Sequence, residues 1–489
     1  MKSTRHRLIS ALSVMAMVSA CSGGGSAPTN GGGIAIAPPA PTPSPSPTPA
    51  QSPQCTLRAR QDWAFAQLRE WYLFPETLPA SLDPTPFATV DAYVDALTAT
   101  ARSQNRDRFF TFLTTITGEN AFLNSGASAG FGVRLAFDSS QRLIIAESFE
   151  GAPALAAGID RGTQIVAIGT TEANLQTVAS LIASGGSAAV STALGPNTAG
   201  TVRVLQISNS TGMRNVTVTK AEFSLTPVSS RYGAQIINDG GRQVGYINLR
   251  TFISTANQPL RDAFASFRAA GITNVILDFR YNGGGLVSTA DLIGDLLGGN
   301  RTTSEAFNLT TFRPEKSANN IVRNFAPTGQ SVSPMKIAVI GTSSTASASE
   351  LVANAMIPYL RANIGLIGSN TSGKPVGQIA LDQPACDDRL RVVAFASQNA
   401  NRQGNYFNGL AAAVEASCQA ADDLTRPLGD PQEASTRAAL NYLAGQSCTP
   451  IAPVLASGVQ RQSSVRAPVQ QLLSPERPDP MQRDLPGSF

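Results

Sequence analysis

Histidine is all but missing from this sequence: one occurs in 489 residues, His6. Imidazole is the usual base for a serine nucleophile and a common zinc ligand. His6 lies in a stretch expected to be removed on export, so the mature chain would carry no imidazole. If a hydroxyl does chemistry here, a lysine or a carboxylate must take its proton. C-x-x-C pairs are also absent, so no metal site is expected. An excess of one charge is lacking too. Lys2, Arg5 and Arg7 fall in the leader, leaving 34 basic residues (37 − 3) against 33 acidic ones. That balance gives no reason to expect nucleic acid as a partner. No glycine-rich loop ending in Lys-Ser/Thr is present, and no cofactor is expected.

What is present starts with an export signal. A basic region precedes an apolar run over 8–20, which is 13 residues and too short to span a bilayer. Val18-Ser19-Ala20-Cys21 resembles a bacterial lipobox, which implies lipidation of Cys21. Ser22, in place of an inner-membrane-retaining Asp, points to a cell-envelope protein anchored in the outer membrane and facing the periplasm. Residues 1–20 would be the signal. Residues 21–53, rich in Gly, Ser and Pro, would be a tether. The remaining cysteines, Cys55, Cys386, Cys418 and Cys448, suit two disulfides with three possible pairings. Cys386–Cys418 with Cys55–Cys448 is the preferred pairing, the second bond joining the ends of the folded region.

The charged fraction of 14% and the hydrophobic fraction of 42% fit a globular chain of two or three domains. Apolar residues at helical spacing over 57–72 and 93–101 predict a small helical domain spanning 54–125. Residues 126–222 read as short strands between Gly and Ser turns, with one helix at 152–157. Strand and helix alternate from 244 onward, so 223–448 reads as an α/β layer. The Pro-, Gln- and Arg-rich stretch 449–489 reads as a disordered tail.

Three glycine- or serine-rich segments follow consecutive apolar runs. They are Asp278-Phe-Arg280-Tyr-Asn282-Gly283-Gly284-Gly285, Thr345-Ala-Ser347-Ala348-Ser349-Glu350, and Gly373-Lys374-Pro-Val-Gly-Gln378. Taken singly they are bland: Ser347-x-x-Glu350 fits a capping box, Lys374 a solvated loop lysine, and the glycines a tight turn. Taken together they resemble the C-terminal-processing, or tail-specific, serine proteases. That resemblance implies Ser347 as nucleophile, Lys374 as general base and Gln378 as the amide orienting it. It also implies an oxyanion hole from Ala348 and the glycines Gly284 and Gly285, in a crotonase-like α/β core. The Ser-to-Lys spacing is slightly long for the family, with the extra residues expected over 358–364. No acidic residue lies between Leu351 and Leu381, so no sequence-local carboxylate would hold Lys374 charged. Gly130-Phe131-Gly132-Val133, followed by Gly151-Ala-Pro and Gly162-Thr-Gln, resembles a PDZ domain. Its glycine-rich loop would present amides to the C-terminus of a protein or peptide substrate. The sequence therefore predicts a multidomain α/β endopeptidase. Its rivals are a catalytically inactive PDZ-bearing adaptor lipoprotein and a crotonase-like acyl-thioester enzyme.

Overall fold

The apolar runs after residue 233 build a central six-stranded sheet. In the computed structural model, which describes residues 52–452, 471–475 and 478–489, the strand order is Ala234–Asp239, Arg242–Asn248, Asn274–Asp278, Lys336–Gly341, Ile364–Gly368, Ala416–Gln419. The first two strands form an antiparallel hairpin and the remaining pairings are parallel. Helices Asn257–Ala269 and Ala348–Leu360 provide two of the crossovers that parallel strands require. Val275, Ile276 and Leu277 are all buried, which is why this strand reads as a continuous apolar run rather than an alternation. The three segments that carry candidate chemistry leave the C-terminal ends of three neighbouring parallel strands. In such sheets ligands bind at those ends.

A second sheet of five strands places Asp388–Gln398 between Val376–Gln383, Ala306–Phe312 and Phe112–Thr115. The helices Leu57–Trp71 and Val90–Leu97 pack against it. Their Leu68, Tyr72, Tyr93 and Leu97 share a core with Val376, Leu390, Val392 and Val393. Residues 54–125 are thus not a self-contained helical domain, because their apolar stripe is buried by strands some 300 positions away in sequence.

Residues 126–222 contain the expected strands, among them Val133–Phe137, Leu143–Ser148, Gln164–Gly169, Val202–Asn209 and Gly212–Thr219. The expected short helix is Pro153–Ala156. A second helical stretch, Val178–Leu194, was not legible in the sequence. Its Gly185 and Gly186 interrupt the helical backbone, and its many Ser and Gly residues dilute the periodic signal.

Both disulfides differ from the preferred pairing. Cys55 bonds Cys386 and Cys418 bonds Cys448. The cause is the packing just described: docking the first helix on the second sheet brings Cys55 to the turn Pro384–Cys386. The Cys55–Cys386 bond closes a loop of separation 331. Replacing both cysteines with serine should cost about 2–4 kcal/mol of stability, measured by denaturant unfolding under oxidising conditions.

The described end of the chain is ordered, contrary to the disordered-tail expectation. Gln471–Leu472 pairs with Val133–Phe137, and Pro480–Asp484 is a short helix capped by Asp479. Met481, Leu485 and Phe489 are buried. Their spacing of four is an apolar signal hidden by the surrounding prolines and charges. Cys21, the expected leader and nearly all of the expected tether lie outside the described residues.

Candidate functional site

Ser347 sits at the N-terminus of the helix Ala348–Leu360 with φ 56° and ψ −115°. A side chain at positive φ is strained by roughly 1–3 kcal/mol and persists only where its surroundings enforce it. Here the enforcement is visible. The Ser347 N–H donates to Glu350 Oε2 at 3.0 Å, and the Ala346 N–H donates to the Asn282 carbonyl at 3.0 Å. Thr345 Oγ1 donates to the Phe279 carbonyl at 2.7 Å. The neighbouring hydroxyls are otherwise engaged. Ser349 is buried and directed at the Asn282 carbonyl, while Ser343 and Ser344 line a different cavity with Asn370 and Asp422.

Glu350 does more than reach back across the helix start. Its Oε1 accepts from Thr371 Oγ1 (2.6 Å) and the Gly373 N–H (2.7 Å), and its Oε2 from the Lys374 N–H (2.8 Å). One buried carboxylate therefore ties the Ser347 turn to the Lys374 loop. Burial pushes its pKa up, while those hydrogen bonds act in the opposite direction. Arg108 holds the same loop from the other side, donating to the carbonyls of Ser372 (2.6 Å) and Gly373 (2.8 Å). Neither Arg108 nor Phe110 stands out in sequence, because both reach the site through long-range packing.

Lys374 Nζ donates to Gln378 Oε1 at 2.8 Å, and Gln378 Nε2 in turn donates to the Phe110 carbonyl. The ammonium lies 5.0 Å from the centre of the Phe110 ring. Burial lowers the Lys374 pKa to about 8, against an opposing influence from Asp484. This carboxylate comes from the chain's last residues, so the absence of an acid near Lys374 holds in sequence and fails in space. Burial pushes the Asp484 pKa up to about 6, with Lys374 pulling it down.

Ser347, Lys374 and Gln378 line one cavity of about 420 Å³, together with Gly283, Gly285, Phe110, Arg483 and Asp484. A Cβ placed on Gly284 would meet the Ser347 side chain at 2.7 Å and the Ala348 nitrogen at 3.1 Å, so the glycine loop lies directly against the helix start. The expected part for Gly284 needs correction. Its N–H donates to Asn282 Oδ1 at 2.9 Å and is not free to meet an oxyanion. The N–H of Gly283, passed over in sequence, donates instead to the Asp484 carbonyl at 2.9 Å. Gly285 lines the cavity at φ 128°, a conformation that only glycine adopts readily.

Gly130, Phe131, Gly132 and Val133 lie away from this cavity, at the start of the strand Val133–Phe137. The N–H groups of Gly132 and Val133 donate to the main-chain oxygen of Phe489 at 3.0 and 3.3 Å.

This cavity holds a hydroxyl at a helix N-terminus and a lysine of depressed pKa whose amine donates to a neutral amide oxygen. Residues 243–410 match the model of peptidase family S41. The matched range contains Ser347, Lys374, Gln378 and the glycine loop. A chloroplastic C-terminal processing peptidase of Tetradesmus obliquus is 27% identical over 268 residues, covering 53% of this chain and 54% of its own length. A carboxyl-terminal-processing protease of a Picosynechococcus species is 27% identical over 265 residues, covering 53% of this chain and 58% of its own. The chain thus spans about half the length of the curated relatives it matches. A Bacteroides fragilis NCTC 9343 crystal structure assigned to the S41 proteases superposes with a TM-score of 0.61 at 23% identity. It covers 78% of this chain and 97% of its own, so the fold is shared well beyond the matched S41 region.

Proposed function

We propose that the protein is an exported serine endopeptidase of the C-terminal-processing type. The observation that carries this reading is the Lys374 amine, held by the neutral Gln378 carbonyl in the cavity that Ser347 lines. Neutral Lys374 takes the proton as Ser347 Oγ attacks the scissile carbonyl carbon. The resulting oxyanion is met by the Ala348 N–H, at the positive end of its helix, and by a glycine-loop N–H, for which Gly283 is better placed than Gly284. The C–N bond then breaks, the leaving amine takes the proton back from Lys374, and an acyl-enzyme remains on Ser347. Water, deprotonated by Lys374, attacks the ester and releases the acid as Ser347 regains its proton.

Residues 126–222 would act as a PDZ domain, its Gly130–Val133 loop receiving polypeptide C-termini. Cys21 would carry the lipid that holds the enzyme at the outer membrane, facing the periplasm. A fluorophosphonate serine probe tests the central step. It should label Ser347 in the intact chain, as read by peptide mass mapping, and should label nothing in Ser347→Ala. Labelling on another residue, or none in a folded chain, would reject the nucleophile.

A further inference from the structure

The strand Val133–Phe137 would be the edge of its sheet were it not for the end of the chain. Gln471 and Leu472 pair antiparallel with Phe137 and Ala136, and the Leu473 N–H donates to the Leu135 carbonyl at 2.9 Å. After the short helix the chain returns to the same edge. The Leu135 N–H donates to the Gly487 carbonyl at 2.8 Å, and the Phe489 N–H donates to the Val133 carbonyl at 3.0 Å. This is strand addition, the mode in which a sheet edge receives a peptide. Phe489 is buried in the cluster that holds Phe131, Val178 and Leu181, and its main-chain oxygen takes the Gly132 and Val133 N–H groups. A Cβ on Gly130 would come within 2.9 Å of the Phe489 carbonyl carbon.

The same segment also walls the cavity of Ser347. Pro480, Arg483 and Asp484 line it, and the Asp484 carbonyl occupies the Gly283 N–H. A Cβ on Gly283 would lie 2.2 Å from the Arg483 carbonyl oxygen, so the backbones are in direct contact. Leu485, fully buried with Phe122 and Phe149, anchors the turn between the two ends.

We propose that residues 478–489 are a resident internal ligand bridging the Gly130–Val133 groove and the catalytic cavity. An outside polypeptide must displace them by presenting an aromatic side chain where Phe489 sits. The obstruction of catalysis rests on the peptidase reading; the occupancy of the groove does not. While bound, the segment withholds both the glycine-loop donor and the edge strand from any substrate. It also keeps a carboxylate near Lys374, which favours the charged amine over the neutral base.

The test uses the full chain, Phe489→Asp and Gly130→Ala, with a fluorescein-labelled synthetic peptide of residues 478–489 as probe. Phe489→Asp should bind the peptide roughly tenfold more tightly than the unaltered chain, because its own segment no longer competes. Fluorophosphonate labelling of Ser347 should accelerate by a similar factor, and unlabelled peptide should reverse the gain. Gly130→Ala, which crowds the groove from the other side, should also label faster yet fail to bind the peptide. If Phe489→Asp does not fold, Gly130→Ala and the peptide bearing Asp in place of Phe489, which should not bind, decide the matter. Equal peptide affinity in both chains, or slower labelling in folded variants, would overturn the proposal; the latter would mean that the segment completes the site. Tighter peptide binding with no labelling in any chain would instead sink the peptidase reading and leave the internal ligand standing.

Discussion

Ser347→Ala will lower kcat/KM on casein by at least roughly 10⁴-fold while the chain still unfolds cooperatively. The size of the loss follows from the surroundings of Ser347. Ser349 is buried against the Asn282 carbonyl and Ser343 and Ser344 face another cavity, so no neighbouring hydroxyl can substitute. The backbone supplies a second readout. Ser347 is held at φ 56°, where glycine is unstrained and alanine is not. Ser347→Gly should therefore be as inactive as Ser347→Ala but more stable, by about 1 kcal/mol. Near-normal turnover in either variant would remove Ser347 from the mechanism.

Lys374→Met should abolish turnover across the whole pH range, a loss of about 10²–10⁴-fold or more. In the unaltered chain, burial holds the amine at about pKa 8. The base must be neutral, so kcat/KM should be low on the acid side and rise as pH passes through about 8. Gln378→Glu gives the signed control. A carboxylate in place of the Oε1 acceptor, 2.8 Å from the amine, favours the ammonium and should move that rise upward by about one unit or more. A merely structural part for Gln378 would change the height of the profile and leave its midpoint in place. A profile without a limb near 8, or one unchanged by Gln378→Glu, would rule out Lys374 as the base.

Much of this was legible because it is local. The Gly-x-x-x-x-Gln spacing puts Lys374 and Gln378 within reach across a strand start, and the helix that begins after Ser347 is marked by its own apolar run. The strand-helix alternation from residue 244 onward carries its own periodicity, so an α/β layer was readable too, while the antiparallel strand Ala234–Asp239 at its edge was not. The helix Val178–Leu194 was lost because glycine and serine carry little periodic information.

By itself, then, the sequence determined which groups could act. A chain with one imidazole, at His6, in a stretch that reads as an export signal, points to a lysine or a carboxylate as base, and the loops that hold such groups follow their strands. Tertiary structure alone decided which groups meet. Disulfide partners, the docking of the first helices on the second sheet, the engagement of the Gly283 N–H by the Asp484 carbonyl, and the return of Asp484 to Lys374 all depend on contacts across long stretches of chain. Such contacts are fixed by the burial of whole faces, a property that no single segment encodes.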